Sequence, residues 1–169
     1  AYLIGGDDFH FVSGPPGNAA FPNPSTIADG IVNAPGAANG IVTVNLPAIF
    51  EVQFDDLTTV DGFSLFSQVG TNGVDGVGSF SVSLFDGGGG LLHELTSASV
   101  NVGNNWQNWT FAEIEGVSSA RFTILTGLAG SFGVEASEIR FSGYVVPEPT
   151  SAVLVGCAAL MMGFRRGRR

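Results

Sequence analysis

The sequence predicts an all-β fold, an antiparallel β-sandwich of the jelly-roll type, for most of the chain. The 25 glycines cluster with Asn, Asp, Ser and Pro between short apolar runs, which is typical of turns between strands. Apolar and polar residues alternate within those runs, and helix signals are scarce before Pro147. About eight such strands suggest two antiparallel sheets packed face to face, since each sheet must cover its apolar face.

The alternation is clearest in IFEVQF, where Phe50, Val52 and Phe54 are separated by Glu51 and Gln53. Successive side chains of a strand point to opposite faces, so the three apolar residues share one face. The same pattern adds further predicted core positions: Val42, Val44 and Leu46; Phe63 and Leu65; Phe80, Val82 and Leu84; Trp109 and Phe111; Phe122 and Ile124; Ile139 and Phe141.

Proline and glycine mark the predicted connections. Gly14–Gly40 holds five prolines and Gly70–Gly78 reads GTNGVDGVG, so both are predicted to be surface loops. The tetraglycine Gly87–Gly90 is predicted to be a hairpin turn.

Charge is distributed very unevenly. Residues 1–146 carry 14 carboxylates and only two arginines, and the chain has no lysine. An acidic body of this kind cannot neutralise a row of phosphates, which disfavours nucleic acid as a partner. The single cysteine, Cys157, excludes an intramolecular disulfide.

No constellation of catalytic residues is evident. The chain has two histidines and lacks the G-x-S-x-G, H-E-x-x-H and C-x-x-C motifs. The adjacent carboxylates Asp7–Asp8 and Asp55–Asp56 would point to opposite faces of a strand and do not by themselves form an acid/base pair. The sequence therefore predicts a protein that is not an enzyme.

The chain divides into a predicted sandwich domain, residues 1–146, and a different C-terminal segment, residues 147–169. This segment begins with Pro147, Glu148 and Pro149, continues with an apolar run at residues 150–164, and ends in an arginine cluster. The cluster comprises Arg165, Arg166, Arg168 and Arg169. The apolar run predicts a C-terminal hydrophobic helix, shorter than the roughly 20 residues that cross a bilayer comfortably. Arginines behind it would stay in the cytoplasm and leave the acidic body on the other side of the membrane.

These three parts, in this order, resemble the PEP-CTERM sorting signal of Gram-negative bacteria. The resemblance implies that an exosortase recognises Pro147, Glu148 and Pro149 while the inner membrane holds the chain transiently. It further implies an exported protein that reaches the cell surface or the extracellular, exopolysaccharide-containing matrix of a biofilm. The alternative is a plain C-terminal transmembrane anchor.

The body resembles a second family over about residues 26–144. SFSVSLFDGG, NWQNWTF, ARFTIL and ASEIRF are similar to motifs in the C-terminal half of discoidin-like, galactose-binding-like domains, the coagulation factor type C group. Upstream, IADG looks like that family's A-x-D-G element and VTVNLP like its V-x-V-D-L strand, with Asn45 where aspartate is commoner. The resemblance implies a galactose-binding-like jelly roll, a fold that hosts many different ligands.

In sugar-binding members of that family, a structural calcium ion lies beside the D-G loop. The resemblance makes Asp29 and Glu138 the candidate ligands, together with backbone carbonyls. The alternative is that both are solvated surface carboxylates.

Sugar recognition commonly uses an aromatic face and a few polar groups. The candidates are His93, Trp106 and Phe132, which lie near predicted turns, and the alternative is that they fill the core or its rim. Arg121 is predicted to pair with a nearby carboxylate rather than to contact ligand.

The leading hypothesis is a non-catalytic surface or matrix protein that binds extracellular polysaccharide. The alternative is a self-associating structural protein of the surface or biofilm matrix, without a specific sugar ligand.

Overall fold

The computed structural model describes residues 2–4, 9–14, 24–30, 42–67, 76–97, 105–128 and 134–146. Within them the chain forms strands that pair antiparallel and one short 3-10 helix. The elements are β1 (Tyr2–Ile4), β2 (Phe9–Ser13), the 3-10 helix (Pro24–Ala28), β3 (Val42–Val44), β4 (Ala48–Ser67), β5 (Val77–Phe85), β6 (Leu91–Ser97), β7 (Asn105–Gly127) and β8 (Val134–Val145).

Two long strands, β4 and β7, contribute to both layers of a β-sandwich. Residues 48–53 of β4 pair with residues 119–124 of β7, and residues 51–54 of β4 pair with β2. Strands β5 and β6 continue this first layer beyond β7. Residues 58–67 of β4 pair with residues 105–117 of β7 and with β8, which form the second layer. The β4–β7 register shifts between Gln53 and Gly62. Such irregularities bend strands, so the ladder passes there from one layer to the other.

Aromatic side chains fill the space between the layers. Phe63 of the second layer lies 5.4 Å from Phe80 and 5.5 Å from Phe122 of the first layer, measured between ring centroids. Phe141 lies 5.6 Å from Phe9 and 5.2 Å from Phe54. These contacts join strands that are distant in sequence into one core.

The alternation of apolar residues predicted this core well. Phe50, Val52 and Phe54 are at most 3% exposed, whereas Gln53 is exposed. Other predicted core positions are also buried: Phe63, Leu65, Phe80, Val82, Leu84, Phe122, Ile124, Ile139 and Phe141. Trp109 and Phe111 are partly buried and pack against the core. The fold class is confirmed as an all-β antiparallel sandwich.

Three sequence-based predictions need correction. The predicted surface loop Gly70–Gly78 extends too far, because β5 begins at Val77, which is fully buried. Leu46 is 38% exposed rather than in the core, because β3 ends at Val44 and the strand alternation does not extend to it. Gly14–Gly40 is not wholly a surface loop, since it contains the 3-10 helix with buried Ile27 and Ala28.

The predicted hairpin turn is present between β5 and β6. Asp86 stabilises it, because its Oδ1 accepts hydrogen bonds from the amides of Gly88 and Gly90 at 2.8 and 2.7 Å.

The predicted C-terminal helix and sorting signal, residues 147–169, lie outside the described residues. Among the residues that are described, no helix is both long and apolar enough to traverse a bilayer.

Candidate functional site

The outer face of the second layer carries a row of three side chains from three neighbouring strands. Trp106 of β7 is opposite Phe66 of β4, and Phe66 is opposite Glu138 of β8. Residues paired across strands point to the same face, so the three side chains are neighbours. The rings of Phe66 and Trp106 meet edge to face at 5.7 Å, which orients the indole.

Arg140 lies on the same face, two residues along β8 from Glu138. Its guanidinium carbon lies 4.3 Å from the centroid of the Trp106 ring, a cation–π contact. Its Nη2 also donates a hydrogen bond to the carbonyl oxygen of Gly30 at 3.3 Å. Arg140 therefore connects the aromatic row to the segment that follows the 3-10 helix.

Glu138 is completely buried although it lies on the outer face of its sheet. The 3-10 helix packs against β8, and the amide of Gly30 donates a hydrogen bond to Glu138 Oε1 at 3.0 Å. The other oxygen, Oε2, is buried and has no hydrogen-bond partner among the described residues. Burial, followed by the charge of Asp29, raises the pKa of Glu138 to about 8.

The alternative that Glu138 is a solvated surface carboxylate is therefore wrong, whereas Asp29 is indeed exposed. Asp29 directly precedes Gly30, whose amide bonds to Glu138, so the chain places the two carboxylates near each other. The charge of Asp29 contributes to the raised pKa of Glu138. An unsatisfied oxygen in a buried carboxylate calls for either a proton or a cation.

The donor set suits calcium only if backbone or further loop oxygens complete it. The described residues contain no group of three or more His, Cys, Asp or Glu side chains arranged for a metal ion. Calcium takes six to eight oxygens and accepts carbonyls. Asp29 and Glu138 can supply the carboxylate part of such a shell, while the nearby Arg140 charge opposes a cation.

His93 lies elsewhere in the sandwich. It belongs to β6, where it is opposite Leu84 of β5, and its ring lies 4.6 Å from that of Phe111 on β7. Its Nε2 is buried and has no hydrogen-bond partner within the described part of the chain. Phe111 is five residues from Trp106 along β7, roughly 16 Å in a strand. The structure therefore does not bring His93 and Trp106 into one site.

The remaining predicted site residues, Phe132, Pro147, Glu148, Pro149 and the four terminal arginines, fall beyond the described residues.

Sequence reasoning missed two residues of this face, Phe66 of the row and the neighbouring Arg140. Arg140 had one usable signal, because a residue two positions after Glu138 in a strand shares its face. Phe66 had none, since its pairing with both Trp106 and Glu138 depends on long-range register.

Arg121, by contrast, behaves as predicted. Its Nη2 lies 2.7 Å from Oε1 of Glu51 on the adjacent strand, so it pairs with a nearby carboxylate.

No protein-family description and no curated protein matches this sequence. The fold, however, is similar to solved carbohydrate-binding modules. The family 32 module of NanJ from C. perfringens, in complex with galactose, has a TM-score of 0.61 at 17% identity, and the match covers 82% of this chain and 96% of that one.

Two further structures show the same likeness. A Clostridium perfringens module in complex with GalNAc-β-1,3-galactose has a TM-score of 0.65 at 11% identity, with 83% of this chain and 99% of that chain covered. A fucose-binding module of Streptococcus pneumoniae has a TM-score of 0.60 at 14% identity, with 78% and 89% covered. The chain thus has the β-sandwich fold of family 32 carbohydrate-binding modules, the discoidin-like, galactose-binding-like fold.

Proposed function

We propose that this protein is a non-catalytic, exported bacterial surface or matrix protein whose sandwich binds extracellular polysaccharide. The observation that carries the proposal is the half-buried Trp106 ring, held by Phe66 and Arg140 beside the Asp29–Glu138 pair. The sugar complexes formed by proteins of the same fold support it.

The chemistry of this face suits a sugar. An indole presents an apolar surface to the C–H groups of a pyranose, and neighbouring polar groups bind its hydroxyls. Asn108 lies on the same face of β7, two residues from Trp106, and is exposed. Its Oδ1 accepts a hydrogen bond from Ser64 Oγ at 2.7 Å, which directs the amide nitrogen away from the serine. Asn108 and Arg140 therefore supply donors beside the ring.

We further propose that Asp29 and Glu138 hold a structural calcium ion with the help of carbonyl oxygens. The unpartnered Oε2 of Glu138 supports this role. A bound ion would replace the proton on Glu138 and tie the Asp29–Gly30 segment to β8. In this way the calcium would support the position of Arg140 over Trp106.

The proposed route to the surface rests on the C-terminal sequence alone. An exosortase-type enzyme recognises Pro147, Glu148 and Pro149, the apolar segment is held transiently in the inner membrane, and the body is released outside. Replacing the PEP residues with alanine in a PEP-CTERM-bearing host is expected to leave the unprocessed chain in the membrane fraction. Normal release of that variant would contradict the assignment.

A second candidate function is self-association. Leu91 and Leu92 are 57% and 39% exposed on β6, which lies at the end of the strand order. Among the described strands β6 is an edge strand, and its one charged side chain is the exposed Glu94, with no lysine, arginine or proline to discourage pairing with another chain. Sedimentation separates this function from sugar binding. A self-associating wild type should sediment as an oligomer, and Leu92→Lys should reduce its apparent mass, whereas a protein that only binds sugar should sediment as a monomer in both forms.

The central test is a binding measurement with galactose, fucose and a bacterial exopolysaccharide preparation. Trp106→Ala is expected to weaken binding about tenfold or more, corresponding to about 1.4 kcal/mol or more. Tyr144→Ala is the matched control, because Tyr144 is an exposed aromatic residue farther along β8, four positions after Arg140. Equal affinity of wild type and Trp106→Ala would exclude the Trp106 site.

A further inference from the structure

A groove of about 240 Å³ lies on the first layer, on its outer face next to the β5–β6 hairpin. Its polar base comes from β4 and β7, and apolar residues of β2 and β5 flank it. The lining includes Val12, Glu51, Gln53, Phe85, Ser119 and Arg121. The groove is therefore separate from the Trp106 face, which belongs to the second layer.

An ion pair organises the base of the groove. Nε and Nη2 of Arg121 both donate to Oε1 of Glu51, at 3.0 and 2.7 Å. Ser13 Oγ donates to the other carboxylate oxygen, Oε2, at 2.8 Å. These hydrogen bonds lower the pKa of Glu51, and the bond from Arg121 has the largest effect. Both side chains therefore stay charged, and their opposite charges cancel.

The pair retains hydrogen-bonding capacity toward solvent. A guanidinium has five N–H groups, and two of those on Arg121 are used by Glu51. The Arg121 and Glu51 side chains are 45% and 37% exposed. The exposed Gln53 donates through Nε2 to Ser118 Oγ at 3.4 Å, which leaves its carbonyl oxygen as an acceptor. Donors and acceptors therefore stand side by side.

Apolar surface borders these groups. The Arg121 guanidinium carbon lies 5.3 Å from the centroid of the Phe85 ring, which fixes the ring beside the ion pair. On the other side, Val12 is 53% exposed. A ligand in the groove would meet hydrocarbon at its edges and fixed polar groups beneath.

We propose that this groove is a second binding site that takes one ring of a neutral sugar. Hydroxyl groups both donate and accept, which matches adjacent guanidinium, carboxylate and amide groups. A net charge on the ligand would be disfavoured, because Glu51 and Arg121 already neutralise each other. The volume is below the roughly 300–1,000 Å³ typical of drug-sized ligands, so it admits about one ring.

The inference rests on the proposed function for its ligand class and adds a second site to it. Sites on two different layers would let one domain contact two polysaccharide chains, or two parts of one chain, at the same time. Such bivalency raises avidity without any new contact at either site.

The experiment is a titration of the full ¹⁵N-labelled chain with galactose, followed by amide chemical shifts at both faces. Galacturonate serves as the anionic comparison. Gln53→Ala and Arg121→Gln alter the groove, and Ser81→Ala is the control on the same outer face outside it. We expect galactose to shift the amides of Ser119, Arg121 and Gly89, and each groove variant to raise the Kd at those amides about tenfold.

Each outcome separates the groove from the Trp106 site. The second site would be supported if galactose shifts the groove amides, Ser81→Ala keeps these shifts and the groove variants weaken them. This holds whether or not amides around Trp106 also respond. Galactose shifts confined to the Trp106 face would overturn the groove and leave the proposed function intact. Galactose shifts at neither face would overturn the groove as a neutral-sugar site, whereas the proposed function would then be decided by the measurements with fucose and exopolysaccharide. Stronger groove shifts with galacturonate than with galactose would overturn the neutral-sugar assignment.

Discussion

The backbone amide of Gly30 donates a hydrogen bond to Oε1 of Glu138 at 3.0 Å, across 108 residues of sequence. This bond joins the segment after the 3-10 helix to the middle of β8. It covers a carboxyl group that would otherwise face solvent on the outer side of a sheet. The burial that results, reinforced by the charge of Asp29, raises the pKa of Glu138 to about 8. The same segment therefore shapes the Trp106 face and raises the pKa of its central acid.

The raised pKa of Glu138 makes stability depend on pH. Between the ordinary value of 4.5 and about 8, the folded protein holds a proton on Glu138 that the unfolded chain has lost. Folding is therefore most favoured by this group below pH 4.5, and its contribution falls by about 1.4 kcal/mol per pH unit as pH rises through the window. Glu138→Gln, which imitates the protonated acid, should flatten the profile of melting temperature against pH between these limits.

The control for this measurement is Glu113→Gln, an exposed carboxyl on β7. Its profile should follow that of the wild type. A Glu138→Gln protein with the wild-type slope between pH 4.5 and 8 would show that Glu138 titrates normally.

Calcium should compete with the proton on Glu138 if it binds there. We expect millimolar calcium to raise the melting temperature of the wild type, and to raise it more at pH 8 than at pH 5, since binding requires the ionised carboxylate. Asp29→Ala and Glu138→Ala should both abolish the rise. Asp56→Ala removes an exposed carboxylate elsewhere and should keep it. The absence of any shift in the wild type would eliminate the calcium site and favour a structural matrix role.

The sequence predicted the core better than the surface, for a physical reason. Burial of Phe50, Val52 and Phe54 follows from local alternation, which needs no knowledge of strand partners. The row of Trp106 and Glu138 depends instead on how β4 pairs with β7 and β8 beyond the irregularities that precede Gly62. A one-residue change of register would turn those side chains to the other face, and no local pattern specifies it.

The Glu51–Arg121 pair should contribute little to stability although it organises the groove. Both side chains are more than a third exposed, and exposed ion pairs contribute about 0.2–1 kcal/mol. We expect Arg121→Gln to lower the free energy of unfolding by less than about 1 kcal/mol, as measured by urea denaturation. Asp55→Asn, which alters the exposed His10–Asp55 pair, is the matched control and should have a similarly small effect. A much larger loss in Arg121→Gln would mean that the pair supports the fold.

Among the glycines that the structure describes, Gly143 is the one at which a single added methyl group should be most damaging. It lies in β8 with a φ of 153°, and a Cβ there would overlap the carbonyl oxygen of Thr59 on β4. Because the obstacle is backbone of a paired strand, neither side can move without disturbing the ladder. Gly143→Ala should cost about 3 kcal/mol, from overpacking and unfavourable backbone geometry together. For a chain of this length that loss lowers the melting temperature by about 10 °C.

Gly87→Ala provides the comparison, since a Cβ at Gly87 would meet nothing within 4 Å in the hairpin turn. The turn variant should melt within a degree or two of the wild type, and equal melting of the two variants would contradict the close approach of β8 to Thr59.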